Sequence, residues 1–336
     1  MPGARRSQGG SRSRGGDRQS GGDRQSRGGD RQSGGDRQSR GGDRQSRSGS
    51  GRRPPARGRR PRQAPPSSGG RRGGSDLLAR IFVAVPAAVV AIVFIDLGGT
   101  AFALFMIAVG AACMHELYQM LSRWRPAAVV GFASLVAMVL AGRFGGERDV
   151  LEVAVATLPV AFVLVVARGQ HRMPTVAIAG TLLGVWWIGI AFAHAELLRQ
   201  LPHGNAILID VLVGTFLGDT AAYVGGRLFG RRPLAPQISP KKTVEGLFCG
   251  MLIAILSVFV AGLYQPWMTQ GNALLLGLAV ALLGPLGDLF ESLVKRDAGA
   301  KDTGNLFGAH GGALDRLDAV IFTAVAGYYV WLAIMH

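Results

Sequence analysis

The chain has 336 residues and a formal net charge of +16, which is concentrated at the N-terminal end: residues 1–75 contain 20 Arg and 5 Asp, whereas the rest carries only +1. The rest of the chain is rich in Ala, Val, Leu, Ile and Gly. It repeatedly offers apolar stretches long enough to cross a hydrocarbon layer of about 30 Å as a helix, which excludes an ordinary soluble domain.

The N-terminal segment, residues 1–75, contains five copies of the sequence Gly-Gly-Asp-Arg-Gln-Ser, beginning at Gly15, Gly21, Gly28, Gly34 and Gly41. It has almost no apolar side chains to offset the entropy cost of ordering, so we predict that it is disordered. Its arginines favour attraction to anionic lipid head groups, at about 1 kcal/mol per basic residue near the surface. A solvated linker is an equal alternative. Nucleic acid is not an expected partner, because no aromatic residue is interleaved for base stacking.

The remainder is predicted to be an all-α, polytopic integral membrane protein with about nine transmembrane helices. Hydropathy places the spans at roughly 79–96, 100–121, 127–141, 150–167, 176–197, 206–228, 245–264, 271–290 and 317–335. The third span is short, and a re-entrant segment is the alternative there.

Basic residues are distributed unequally between the two sets of alternating connections. One set carries Arg123, Arg125, Arg168, Arg172, Arg231, Arg232, Lys241, Lys242, Lys295, Arg296 and Lys301, and the other carries only Arg143, Arg148 and Arg199. Cytoplasmic connections normally hold the excess of Lys and Arg. The pattern therefore predicts a multi-pass protein of the plasma membrane whose N-terminus and two longest polar loops, about 229–244 and 291–314, face the cytoplasm.

All four lysines of the chain fall in those two loops: Lys241, Lys242, Lys295 and Lys301. A lysine ammonium binds phosphate as a compact point charge. The confinement of lysine to two loops on one side of the membrane indicates a shared anionic ligand. The alternative is that these residues act only as topology signals.

Carboxylates gather at the same two loops. The eighth span ends with four polar residues on one helix face, namely Asp288, Glu291, Ser292 and Lys295. The ninth begins with Asp315 and Asp318, which are also one turn apart. Acids in a span are costly and usually line a polar cavity or bind a partner, and a group of them beside lysines suits Mg²⁺ carrying substrate phosphates. For any single Asp, an interfacial or helix-capping role is the alternative.

Between these two spans, residues 301–312 are rich in glycine, which permits close approach of the backbone to a phosphate. His310 either donates to phosphate or bonds the loop backbone. In the sixth span, Asp219 is deep enough to need a partner. It either binds a metal ion or the nucleotide, or it pairs with Arg227 two turns further on. Other polar residues in or near spans are interpreted as mostly structural: Asp96, His115, Glu116, His194, Glu196 and Asp210.

The C-terminal motif resembles that of the phosphatidate cytidylyltransferase (CDP-diacylglycerol synthase) family. The family pattern is Ser-x-apolar-Lys-Arg, then Lys-Asp, x-His-Gly-Gly and Asp-Arg-x-Asp, and here it extends over 27 residues from Ser292 to Asp318. Ala313 stands where the family usually has a larger apolar residue, which concerns packing. The upstream segments Asp-Thr-Ala-Ala-Tyr at Asp219 and Ser-Pro-Lys-Lys-Thr at Ser239 are also similar to the family, so the resemblance covers about residues 206–336.

The resemblance implies transfer of CMP from CTP to phosphatidic acid, which gives CDP-diacylglycerol and pyrophosphate for phospholipid synthesis. It also implies metal binding by Asp288, Asp315 and Asp318, with Mg²⁺ as the cofactor and a second cation left open. We expect the catalytic residues to be Asp288, Lys295, Lys301, Asp315 and Asp318. We expect substrate binding by Ser239, Lys241, Lys242, Ser292, Arg296, His310, Arg316 and Asp219.

The chain is accordingly divided into a tail at 1–75, N-terminal transmembrane helices at 76–205 and a catalytic transmembrane region at 206–336. The expected partners are CTP, phosphatidic acid and the lipid bilayer, and a homodimer is left open. Two alternatives remain. A CTP-dependent lipid kinase would use similar substrates, and a secondary transporter would use intramembrane acids to bind ions.

Overall fold

The structure is a computed structural model and describes residues 86–169, 173–300, 303–304 and 312–336. Within these residues the chain forms nine α-helices. They are α1 (Pro86–Leu97), α2 (Gly99–Met120), α3 (Ala128–Phe144), α4 (Glu147–Ala167), α5 (Pro174–Gln200), α6 (Gly204–Phe229), α7 (Val244–Leu263), α8 (Gln270–Ala298) and α9 (Leu314–Met335). A π-helical turn at Val185–Gly189 lies inside α5, and a 3₁₀ turn at Ser122–Trp124 follows α2.

The helices agree in order with the predicted spans, and seven of those described are long and apolar enough to cross a membrane: α2 and α4 to α9. The other two, α1 and α3, are shorter apolar helices. Large apolar side chains point outward, for example Phe162 and Val163 on α4, which are 56% and 63% exposed. A water-soluble surface would not carry so many such side chains. The protein is therefore a multi-pass membrane protein, whereas nine crossings remain a prediction because the first predicted span begins outside the described residues.

Side-chain contacts define two ends of the helix bundle. At one end, called here the site end, Arg123 after α2 donates to the carbonyl of Asp297 on α8, and α6 and α7 meet across their connection. At the opposite end, Gln200 on α5 donates to the carbonyl of Gly142 on α3, and Trp331 on α9 donates to the carbonyl of Pro202. The C-termini of α6 and α8 and the N-termini of α7 and α9 thus share the site end.

Two segments at the site end differ from the sequence prediction. The predicted loop 229–244 contains a two-stranded antiparallel hairpin, β1 (Pro233–Ala235) and β2 (Ser239–Thr243). The predicted eighth span ends near 290, but α8 continues for two more turns to Ala298 and has 29 residues. Gly299, with φ +71°, caps it in the left-handed conformation that glycine adopts without strain. Lys295 therefore lies on a helix, as its spacing from Asp288 and Glu291 predicted, and Arg296 lies on the same helix and not in a loop.

Close helix packing positions α6, α7, α8 and α9 around the site. Glycine at 250 on α7 lets the helix approach α6, since a Cβ there would lie 2.7 Å from the Cβ of Ala222. Glycine at 287 on α8 has the same effect on α9, where an added Cβ would meet the backbone carbonyl of Asp318 and, at 3.0 Å, the ring of Phe322. Small residues at membrane helix interfaces allow this approach and the dispersion contacts that hold the helices together.

Candidate active site

Three carboxylates from two helices meet at the site end of the bundle. Asp288 and Glu291 lie one turn apart on α8, and Asp318 faces them from the second turn of α9. One ligand oxygen from each lies within 4.8 Å of the others. Glu291 and Asp318 are buried, whereas the side chain of Asp288 is 32% exposed and opens the group to its surroundings.

Two lysines lie against this group of acids. On α8, Lys295 Nζ donates to Glu291 Oε2 at 2.5 Å and to Asp315 Oδ1 on α9 at 2.9 Å. On β2, Lys242 forms an ion pair with Asp288. Closely spaced like charges repel one another strongly where water is scarce, so the ammonium groups are needed to keep the acids together.

The hairpin reaches the acids because both neighbouring helices hold it. Thr243 caps α7 by accepting a hydrogen bond from the N–H of Gly246 at 3.1 Å. Arg296 on α8 donates from Nε to the carbonyl of Ile238 at 3.1 Å. The first contact fixes the end of β2 that carries Lys242, and the second holds the residue before the start of β2. Two segments that are distant in sequence thus contribute to one site.

Asp315 is engaged differently from the three grouped acids. Besides the bond from Lys295, its Oδ2 accepts from the N–H of Thr303 at 3.1 Å and from the N–H of Gly312 at 2.9 Å. The carboxylate therefore joins the two described ends of the segment between α8 and α9. The sequence grouped Asp315 with Asp288 and Asp318 as metal ligands, whereas the structure places Glu291 in that group and Asp315 beside it on Lys295. A metal-binding role of Asp315 stays a prediction.

Glu116 on α2 also faces this region, and the sequence interpretation treated it as structural. Its carboxylate is buried, accepts from the N–H groups of Ala313 and Leu314 at 2.9 Å each, and accepts from the hydroxyl of Thr303 at 3.1 Å. A carboxylate is favoured at a helix N-terminus because unpaired N–H groups and the helix dipole point towards it. Nearly 200 residues separate Glu116 from its partners, so no local motif links them.

Residues 78–334 match the cytidylyltransferase family, which is about three quarters of the chain. The chain belongs to the cytidylyltransferase family. The match extends well upstream of residue 206, where the motif resemblance ends, and it includes α2 with Glu116.

Individual relatives agree with the family assignment. The chain is 39% identical over 183 residues to the uncharacterized protein YnbB of Escherichia coli, covering 51% of this chain and 61% of that protein. It is 44% identical over 126 residues to a phosphatidate cytidylyltransferase of Aquifex aeolicus, covering 38% and 47%. It is 36% identical over 158 residues to one of Mycobacterium bovis, covering 46% and 50%. The chain thus spans about half the length of the curated relatives it matches.

The other predicted site residues of this cytidylyltransferase-family chain lie on the hairpin, on α8, on α9 or outside the described residues. Ser239 is partly exposed on the hairpin, Lys241 is exposed there, and Ser292 is partly exposed on α8. Arg316 is exposed in the first turn of α9. Lys301 and His310 lie outside the described residues.

Asp219 lies on α6 in a narrow cleft between α6, α7 and α8 that small residues line. The suggested pair with Arg227 is not formed, and Arg227 instead lies 3.5 Å from the hydroxyl of Tyr223. Within the described part of the chain no ion pair involves Asp219, so its predicted role towards metal or nucleotide stays a prediction.

A divalent cation fits the grouped acids of this family member. Glu291 Oε1 is buried and has no hydrogen-bond partner among the described residues. Such an atom is costly unless a ligand satisfies it. With every group ionised, Asp288, Glu291, Asp315 and Asp318 outnumber Lys242 and Lys295 by two formal charges. Carboxylate oxygens are the ligands that Mg²⁺ prefers, and one such ion would balance this charge.

Proposed function

We propose that the chain is a phosphatidate cytidylyltransferase, which transfers CMP from CTP to phosphatidic acid to give CDP-diacylglycerol and pyrophosphate. Membership of the cytidylyltransferase family and similarity to phosphatidate cytidylyltransferases of Aquifex and Mycobacterium support this reaction. The observation that carries it is the convergence of Asp288, Glu291 and Asp318 with two lysines at one end of a membrane-embedded bundle.

The proposed metal ligands are Asp288, Glu291 and Asp318, with Asp315 as the alternative that the motif favours. A bound Mg²⁺ would neutralise phosphate charge on CTP. Lys295 is held by Glu291 and Asp315 with its ammonium beside the site, where it can offset the charge of a leaving pyrophosphate. Lys242 extends from the hairpin with a partly exposed side chain, and its ammonium can move from Asp288 to a phosphate oxygen when a cation takes its place.

The chemical step needs little from the protein besides positioning. An oxygen of the lipid phosphate attacks the α-phosphorus of CTP, and the bond from that phosphorus to the pyrophosphate breaks. The nucleophile is already an anion, so no general base has to remove a proton. The residues of the site therefore act by holding two anionic substrates in line and by offsetting their mutual repulsion.

The site end is proposed to face the cytoplasm at the plasma membrane, where CTP is available. Basic residues support this orientation, because the described connections at the site end carry Arg123, Arg125, Arg231, Arg232, Lys241 and Lys242, whereas Arg143, Arg148 and Arg199 lie at the opposite end.

The test is to supply purified protein with phosphatidic acid, Mg²⁺ and CTP labelled at the α-phosphate. The proposal expects the label to enter the lipid and unlabelled pyrophosphate to be released. Label from the γ-phosphate entering the lipid would instead show a CTP-dependent lipid kinase. Absence of any labelled lipid from either form of CTP, with protein that is folded in detergent, would refute the proposal.

A further inference from the structure

We propose that Glu116 is a positioning residue that sets the location of the first turns of α9 and thereby the distance of Asp318 from Asp288 and Glu291. The inference rests on the metal site of the proposed function. It concerns a residue of α2, outside the motif that runs from Ser292 to Asp318.

The first argument is the number and origin of the contacts. Both oxygens of the Glu116 carboxylate are used: Oε1 accepts from the N–H of Ala313, and Oε2 accepts from the N–H of Leu314 and from the hydroxyl of Thr303. Ala313 is the N-cap residue of α9 and Leu314 its first residue, and Thr303 belongs to the segment that follows α8. A single side chain of α2 therefore holds residues on both sides of the α8–α9 connection.

The second argument is the space that the sequence leaves for this carboxylate. A Cβ at position 304 would lie 2.8 Å from Glu116 Oε1, and one at position 312 would overlap Oε2. Both positions are glycine. Without side chains there, the backbone can close around the carboxylate, which lies with Thr303, Ala313 and Leu314 in a buried group.

The third argument is the connection from this buried group to the acids. Thr303 and Gly312 also donate their N–H groups to Asp315, which binds Lys295, which binds Glu291. Asp318 lies one turn further along α9, where its Oδ1 accepts from the N–H of Ala319 at 2.8 Å. A shift of the N-terminus of α9 would therefore move Asp318 relative to α8, and residues that hold metal ligands in place commonly affect metal affinity.

The experiment compares Glu116→Gln with a matched control, Glu196→Gln. Glu196 is a buried glutamate on α5 at the opposite end of the bundle, where Gln200 and Arg143 approach it. The control thus removes the same charge from a similarly buried position. For each protein we would measure Mn²⁺ binding by electron paramagnetic resonance without substrates, the thermal unfolding midpoint in detergent, and KM and kcat for CTP.

The expected result is that Glu116→Gln weakens Mn²⁺ binding by about tenfold or more, as found for residues that orient metal ligands. Gln offers one acceptor oxygen for three donors and turns an NH₂ group towards them. Glu116→Asp keeps two acceptor oxygens and should recover part of the affinity. Glu196→Gln should change the unfolding midpoint but leave Mn²⁺ binding as in the parent protein.

A milder change keeps the proposal testable if Glu116→Gln fails to fold. Thr303→Val removes only the hydroxyl that donates to Glu116 and should weaken Mn²⁺ binding by a smaller factor. Unchanged Mn²⁺ binding in Thr303→Val and in every folded Glu116 variant would overturn the positioning role. Failure of the parent protein to bind Mn²⁺ would instead refute the proposed metal site, so the two failures are distinguishable.

Discussion

Both ends of the helix bundle contain buried acids, but the acids are arranged differently at the two ends. At the opposite end the acids lie apart. The buried Asp210 accepts two hydrogen bonds from Gln265, at 2.9 and 3.1 Å, and the half-buried Glu147 accepts from the hydroxyls of Tyr328 and Tyr329. The buried Glu196 has Gln200 and Arg143 beside it, although its Oε2 has no hydrogen-bond partner among the described residues. At the site end Asp288, Glu291 and Asp318 instead face one another, and one buried oxygen there, Glu291 Oε1, likewise has no described partner. A buried acid alone therefore indicates little, whereas converging acids indicate a ligand.

The largest expected effect comes from removing one acid of the converging group. Asp318→Asn should lower turnover of CTP and phosphatidic acid by about a hundredfold or more, because a bound metal ion contributes several kcal/mol to such a reaction. The measurement is CDP-lipid formation by purified protein. Asp210→Asn, at the opposite end, is the control and should keep most of its activity. Near-normal turnover of Asp318→Asn would remove the distinction between the two ends.

Gly287→Ala tests whether the separation of α8 and α9 matters at the site end. The added methyl group would meet the carbonyl of Asp318 and the ring of Phe322. The helices would have to move apart, and a displacement of about 1 Å can cost up to a hundredfold in rate. Gly271→Ala, near the other end of α8, has open space around it and is the matched control. Equal activity of the two variants would contradict a close-packing requirement at Gly287.

Glu291→Gln separates the group of acids that converges in the structure, proposed here to bind the metal, from the set of ligands predicted from the sequence. We expect the Mg²⁺ concentration for half-maximal activity to rise by at least about tenfold, as when a metal site loses a residue that holds it. Asp315→Asn should change this concentration less, because Lys295 and two N–H groups already occupy that carboxylate. The opposite order would favour the set of ligands that the motif implies.

Gln265→Leu tests the role of Asp210, a buried acid outside the converging group. It removes both hydrogen bonds that Gln265 Nε2 donates to Asp210 and leaves that carboxylate buried, which should lower the free energy of unfolding by about 1–3 kcal/mol. Turnover per folded molecule should not change. A thermal or denaturant unfolding curve in detergent, read together with activity, checks this. A loss of turnover without a loss of stability would show that the opposite end contributes to the reaction.

The smallest effect is expected from deleting residues 1–72, which lie outside the described structure. Activity per molecule should survive because the family match begins at residue 78. The distribution of the protein between membranes with and without anionic lipids is the second measurement. A change there would favour lipid attraction by the arginines, and no change would favour a solvated linker.

The number and order of the described helices could largely be predicted, because apolar stretches can be identified directly in the sequence. The predicted spans follow the described helices in order, but the end of α8 was placed too early. Its last turns are polar, so hydropathy does not mark them, whereas the pair of Glu291 and Lys295 at i and i+4 supports a helix there. The hairpin was missed because Pro233 and Pro240 argue against a strand. Both strands of a two-stranded sheet are edges, where proline is tolerated.

The site was predictable only where its residues are close in sequence. The spacing placed Asp288, Glu291, Ser292 and Lys295 on one helix face, and the lysine distribution indicated that the predicted loop 229–244 belonged to the same site. Lys242 does contact Asp288. Glu116 could not be assigned in this way, because its partners are backbone N–H groups that any residue provides. The only signal in the sequence was an acid, Glu116, within a predicted span, and this does not identify the groups that it contacts.

If the proposed function is right, the length of α8 determines how the two proposed substrates can meet. A helix of 29 residues rises about 44 Å, which exceeds a hydrocarbon core of about 30 Å. If the apolar first part of α8 fills the core, its last turns with Glu291 and Lys295 stand at the depth of the lipid phosphates. A lipid could then react while its acyl chains stay among their neighbours, and the water-soluble nucleotide would come to the lipid at the surface of a single leaflet.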